Sequence, residues 1–234
     1  MNYVYRKVRS LIYLGVNTVL IIFAFPFNKK TSINIKNNLK RDAIINFILN
    51  KKFSNQGHYL EIGCDLDQTF SKIINKNKIG IDPVRGGNLK LNSKDFFEDY
   101  NSQKFDMIFI DGSHLIEDVF YDTVQSIASL NLGGYVLLDD VLPNNYFNTF
   151  RKRITLHSFQ DAYKILFLLI ELKFIELYLI PHDHGMALFK LIDEPDFEKL
   201  KYDFSKIGFD NYIELLEDNR FSFINDFNEL SNIN

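Results

Sequence analysis

Four short, near-continuous apolar runs, each stopping at glycine or an acid, constrain this 234-residue chain more than any other feature. They read HYLEIG at 58–63, KIGIDP at 78–83, FDMIFID at 105–111 and YVLLD at 135–139. Strands with no polar alternation are buried on both faces, which is the signature of a parallel sheet covered by helices. Helical spacing fills the gaps. Residues 39–53 repeat Ile44, Ile45, Ile48 and Leu49, and 117–130 keep a helical period until NLGG at 131–134 stops it. Residues 162–172 form a further apolar helix. Runs at 174–180 and 186–191 flank PHDHG and read as an antiparallel hairpin. The expected fold is therefore α/β: a doubly wound, mostly parallel sheet with an antiparallel C-terminal hairpin.

In such sheets ligands bind beyond the carboxyl ends of the strands. The residues standing there are Glu61 and Gly63, Asp82, Asp111, and Asp139 with Asp140. Asp82 ends the second strand, where an acid commonly accepts hydrogen bonds from a ribose. The glycine turn after the first strand is incomplete, because Asp65 and Asp67 stand where glycines are frequent. Two carboxylates there repel a pyrophosphate, which disfavours a dinucleotide and an NAD-dependent enzyme. They also serve as helix caps on a solvated loop, and the two readings are compatible.

The net charge of −3 gives no reason to expect a nucleic-acid partner. Cys64 is the one cysteine, so an internal disulfide is excluded and a reducing, cytoplasmic location fits. The N-terminus differs in texture. Arg6, Lys7 and Arg9 precede an apolar stretch at 11–27, 17 residues long, closed by Lys29 and Lys30. About 17 residues is the short limit for a bilayer span. The segment either packs as a helix on the domain or a partner subunit, or attaches the chain to a membrane. Three regions are expected: the hydrophobic segment at 1–30, the sheet domain at 31–195, and an acidic, Phe-rich helical tail at 196–234. Oligomeric state is not readable from these patterns.

The stretch FDMIFIDGSHLIEDVFYDTVQSIASLNLGGYVLLDDVLP at 105–143 resembles class I methyltransferases, and within them methyltransferase family 24. KIGIDPVRGG at 78–87, the later Asp95-Phe-Phe97 and the turn at His184-Gly185 are similar to the same group. The resemblance covers roughly residues 59–191 and implies S-adenosylmethionine as cofactor, held by Glu61, Gly63, Cys64, Asp82 and Asp111. That molecule carries a sulfonium and an ammonium and no phosphate, which suits the acidic loop. An acceptor hydroxyl on a small molecule or glycan is implied by family analogy. The rival is an inactive scaffold of the same fold held at a membrane.

Asp111, Asp139 and Asp140 end adjacent strands, and three carboxylates so placed call for a cation. Oxygen ligands suit Mg²⁺, and the arrangement is similar to the metal site of catechol-type O-methyltransferases. Those enzymes place a basic lysine three residues after the first acid. Here His114 holds that offset, so Asp111 and His114 are the expected catalytic pair, with histidine as general base. The alternative for Asp111 and Asp140 is a cofactor contact and a turn cap, with no metal. The pair His182 and His184 reads as turn residues of the hairpin.

Overall fold

The computed structural model describes residues 28–233 apart from 101, 153, 156 and 157. The apolar stretch at 11–27 lies outside the described residues. Among the described residues no helix is long and apolar enough to cross a membrane.

The principal elements are α1 (Arg41–Phe53), β1 (Tyr59–Ile62), β2 (Lys78–Ile81), α2 (Ser93–Asp99), β3 (Phe105–Ile110), α3 (Ile116–Ser129) and β4 (Leu130–Leu138). They continue with α4 (Ile165–Leu169), β5 (Ile175–Ile180), β6 (Met186–Leu191), α5 (Phe209–Glu217), β7 (Ser222–Phe223) and α6 (Phe227–Ser231). Seven strands form one sheet in the order β2-β1-β3-β4-β6-β5-β7. Only β6 runs against its neighbours. It pairs antiparallel with both β4 and β5, while β7 adds a short parallel rung to β5. This is the α/β fold expected, with its reversed hairpin near the C-terminus.

The apolar runs are explained by burial on both faces. Leu60, Ile62, Ile108, Ile110, Val136 and Leu138 point to a core that α2, α3, α4 and α5 complete. The alternate residues Tyr59, Met107, Phe109, Tyr135 and Leu137 face a second core closed by α1 and α6. At roughly 25 cal/mol per Å² of apolar surface removed from water, these two layers supply the main driving force for the fold. The tail is part of this packing: Leu200, Phe209, Tyr212 and Leu216 join the first core.

One element begins earlier than its sequence pattern. The expected strand at 135–139 starts at Leu130, directly on the end of α3. Leu130 pairs with Phe105, and the register then shifts before Met107 meets Tyr135. The glycines at 133 and 134 form this irregularity inside the strand rather than a loop before it.

Residues 29–40 form a strap across the carboxyl end of the sheet. Thr31 N–H donates to the Asn144 carbonyl at 3.1 Å, and Lys36 N–H to that of Pro181 at 2.9 Å. His182 locks strap, hairpin and tail together. Its Nδ1 accepts from Leu39 N–H at 3.3 Å, and its Nε2 lies 3.0 Å from the Asn225 carbonyl oxygen. An N–H on one side and a carbonyl on the other fix the neutral tautomer with its proton on Nε2. Burial holds this imidazole below its ordinary pKa, although the Asn225 carbonyl acts in the opposite sense.

Gly63, just past β1, adopts φ +89°, and a Cβ there would lie 2.3 Å from the Asp111 carbonyl oxygen. Gly133 has a similar φ of +83° but open space around it. Gly63→Ala should therefore lower unfolding free energy by about 3 kcal/mol, from left-handed strain and steric overlap together. Gly133→Ala should cost about 1 kcal/mol, the strain alone. Urea denaturation of the two variants checks this ordering.

Candidate active site

Register puts the site together. Ile62 pairs with Ile81 on one side and Ile110 on the other, and Ile110 pairs with Leu138. The next residue of each strand is thus at one level: Gly63, Asp82, Asp111 and Asp139. Backbone bonds extend the ladder one step further, from Gly63 N–H to Ile81, Asp111 N–H to Ile62 and Asp139 N–H to Ile110. The strand order reverses at β1, so the ends of β1 and β3 open a crevice. A cleft of about 720 Å³ occupies it, with Gly63, Asp82, Asp111 and Asp122 in its wall.

The turn after β1 keeps a glycine-like path without the glycines. Asp65 and Asp67 adopt φ of 45° and 57°, the left-handed region that aspartate tolerates better than most residues. Asp67 accepts the Gly87 N–H at 2.6 Å, and Asp65 pairs with Arg85. These bonds tie the turn to the loop after β2. Asp82 accepts three N–H groups, from Val84 at 2.8 Å, Arg85 at 2.9 Å and Asp65 at 3.0 Å. Burial pushes its carboxyl upward, but the three backbone donors outweigh it and keep Asp82 ionised below the usual range.

Two expected cofactor residues lie behind this wall instead of on it. Cys64 is buried, and burial pushes its thiol well above the ordinary value. Glu61 points into the second core, where it accepts the Tyr59 hydroxyl at 2.6 Å. Burial raises the Glu61 carboxyl to about 7, against the Tyr59 and Phe70 hydrogen bonds, which lower it. Alternation along β1 explains the placement, since Glu61 shares a face with Tyr59 and not with Ile62.

The acid cluster converges around a cation from the chain itself. Arg41, first residue of α1, places Nη1 2.7 Å from Asp111 Oδ2 and also against Asp139 Oδ2. Its Nε donates to Asp183 Oδ2 at 3.3 Å, and Nη2 lies 3.1 Å from His184 Nδ1. The Asp139 side chain is 0% exposed and that of Arg41 16%. Burial, reinforced by the Asp139 carboxylate, raises the Asp111 carboxyl, while Arg41 pulls it down. Asp139 keeps one buried oxygen, Oδ1, without a hydrogen-bond partner.

Beside this cluster lie Asp140 and His114. Asp140 takes φ 56° after β4, which turns its carboxylate back toward the sheet end. Its Oδ2 is 3.2 Å from His114 Nε2, while His114 Nδ1 is 2.7 Å from the Ser158 carbonyl oxygen. That carbonyl can only accept, so Nδ1 carries a proton, and Nε2 is the nitrogen that faces the Asp140 carboxyl. Burial and the nearby Asp139 raise the Asp140 carboxyl. Two groups of ligating atoms lie within 4.8 Å of one another: Asp111, His114 and Asp140, and Asp139, Asp140 and His184. A separate cavity, about 410 Å³, is lined by Lys40, Asn144, Asn148, Phe159 and the Arg41 partners Asp183 and His184.

The expected residues Gly63, Asp82 and Asp111 line the cleft, and Asp139, Asp140 and His114 adjoin it. Sequence reasoning missed Arg41, Asp122 and the role of Asp183 and His184. A surplus of acids at strand ends signals that a cation is needed, yet not which of the chain's basic residues supplies it.

Residues 43–141 match the family model described as a methyltransferase domain. No curated protein sequence matches the chain. Among solved structures, a Corynebacterium glutamicum protein shares 12% identity at a TM-score of 0.50, over 82% of this chain and 99% of its own. A candidate caffeoyl-CoA O-methyltransferase from Staphylococcus aureus shares 18% identity at a TM-score of 0.50, over 80% and 99%. At these identities the likeness is one of fold. The chain thus resembles a methyltransferase domain over 43–141 and shares its fold with these two structures over about four-fifths of its length.

Glu61 supplies a pH test of the site's inner wall. A carboxyl raised in the fold contributes stability below its ordinary value of 4.5 and loses it as pH rises through about 7. Glu61→Gln, which keeps an acceptor for Tyr59, should escape that loss. Between about pH 4.5 and 7.5 wild type should lose about 3 kcal/mol more stability than the variant. Equal pH slopes in urea melts would show that Glu61 is not held protonated.

Proposed function

We propose that this chain is an S-adenosylmethionine-dependent methyltransferase that acts on a hydroxyl group of a small molecule or glycan. The observation that carries the reading is the shared level of Gly63, Asp82 and Asp111 at the reversal of strand order, with the His114–Asp140 pair beside it.

The cleft chemistry suits this cofactor. Its wall holds the carboxylates of Asp65, Asp82, Asp95, Asp111, Asp118 and Asp122 against two cations, Arg85 and Lys94. A field of that sign favours a sulfonium and an ammonium and opposes a pyrophosphate. Asp122 adds a buried oxygen without a partner, and burial raises its carboxyl to about 6. Asp82 keeps one acceptor site on Oδ2 for a ribose hydroxyl, and Ile81, Val84 and Leu91 offer an apolar slot for the base. When bound, the cofactor supplies a methyl group on a positively charged sulfur.

The chain's own residues then bind and deprotonate. His114 Nε2, with its tautomer fixed by the Ser158 carbonyl, is the base for the acceptor hydroxyl, and Asp140 stabilises the imidazolium that forms. Asp111 stands between cleft and cluster and orients the acceptor. The 410 Å³ cavity, with two amides, a carboxylate, an imidazole and the Phe159 ring, offers what a hydroxylated acceptor needs. In-line transfer depends chiefly on positioning of the two reactants.

The expected Mg²⁺ does not fit the residues as placed. Asp111 and Asp139, two of its three carboxylates, share the Arg41 guanidinium. Each of the two clusters of ligating atoms includes an imidazole, His114 in one and His184 in the other, and Mg²⁺ favours oxygen ligands.

Calorimetry should detect S-adenosylmethionine binding and none of NAD. Asp82→Ala should weaken that binding by about 10- to 100-fold, the loss of a charge-assisted hydrogen bond. His114→Ala should bind the cofactor as wild type does. Its turnover, read as S-adenosylhomocysteine formed over a panel of glycosides and phenols, should fall about 10²- to 10⁴-fold. Binding of NAD alone would overturn the reading.

A further inference from the structure

We propose that Arg41 is the resident cation of the acceptor site, standing where a divalent ion would bridge Asp111 and Asp139, so that the site works without a metal. The inference rests on the methyltransferase reading for the reaction, but its geometry stands independently.

Three observations carry it. First, a single nitrogen, Nη1, serves the Oδ2 atoms of both Asp111 and Asp139. A Mg²⁺ ion needs oxygens at about 2.0–2.1 Å in octahedral array, and these oxygens cannot offer that while the guanidinium lies between them. Second, Arg41 is held on more than one side. Nε reaches Asp183, Nη2 faces His184, and its own backbone N–H lies 3.5 Å from Asp183 Oδ2. A planar guanidinium with five fixed donors suits such a converging set of acceptors better than a lysine would. Third, its backbone is fixed. Leu39, two residues earlier, donates to His182, and Lys36 exchanges backbone bonds with Pro181 and Asp183. Ile44, Ile45 and Ile48 then root α1 in the second core. Arg41 is delivered by a braced segment, not by a side chain reaching in from solvent.

The consequence concerns the acceptor. A metal binds two neighbouring oxygens of its substrate in exchangeable positions. A guanidinium whose donors are committed to Asp111, Asp139 and Asp183 supplies fixed charge and no open coordination site. The acceptor then engages through one hydroxyl, with His184, Asn144 and Asn148 binding the rest, and a vicinal diol or catechol is not required.

The test uses the full chain and Mn²⁺ as probe, read by electron paramagnetic resonance and by thermal melting. Wild type should bind Mn²⁺ only weakly, at about millimolar or worse, with a Tm unmoved by the ion. Arg41→Ala should gain at least about tenfold in Mn²⁺ affinity, and its Tm should recover when the ion is added. Arg41→Lys, which keeps one positive charge, should stay as insensitive as wild type. Should Arg41→Ala fail to fold even with Mn²⁺, the wild-type titration still decides, together with Asp139→Asn, which should leave Mn²⁺ affinity unchanged. Micromolar Mn²⁺ binding by wild type that Asp139→Asn abolishes would overturn the proposal. S-adenosylmethionine is titrated into the same samples. Its absence of binding would count against the methyltransferase reading alone, because the Mn²⁺ results do not depend on it.

Discussion

The parallel register of β1, β2, β3 and β4 is the constraint on which the rest of this structure depends. Ile62, Ile81, Ile110 and Leu138 lie abreast, so the residue after each strand meets the others at one edge. A slip of one residue in any of these strands would send its apolar set to the opposite face and its terminal acid out of line. Burial on both faces forbids that slip. The same hydrophobic patterning that closes two cores therefore also aligns the carboxylates, and the chemistry of the edge is a by-product of packing.

Alignment brings a cost, because carboxylates at one edge of a buried sheet repel each other and lose water. The chain offsets it with hydrogen bonds and countercharge. Asp82 is held ionised by three backbone N–H groups, whereas Asp111 and Asp139 share Arg41. The two solutions differ in kind. Asp82 faces the cleft with capacity to spare, as a binding group should. Asp139 is sealed from solvent and answers to Arg41, so its charge shapes the site from behind.

Much of this was legible in the sequence. The strands and the reversed hairpin followed from apolar runs and their breaks, and the acids at strand ends marked the edge where the carboxylates converge. Strand alternation could also have shown that Glu61 faces away from Ile62, since both faces of β1 are apolar and only the acid distinguishes them. What the sequence does not carry is the identity of partners across long separations. Arg41 is the first residue of α1, and nothing local distinguishes it from Lys40 or Lys52. The start of β4 was hidden for another reason. The glycines at 133 and 134 look like a stop signal, and only pairing of Leu130 with Phe105 extends the strand through them.

The His182 clamp bears on how the chain assembles. Leu39 and His182 are 143 residues apart, as are Lys40 and Asp183, while Arg41 meets Asp183 across 142. Contacts of such span close large loops and are slow to form. On a ribosome the strap and α1 emerge well before the hairpin that holds their partners. Until that hairpin arrives, Leu39 lacks its imidazole acceptor and Arg41 lacks Asp183, however early β1 to β4 have paired. Segments made early are therefore completed late, and the edge of the sheet acquires its full set of charges only when strap and hairpin have met.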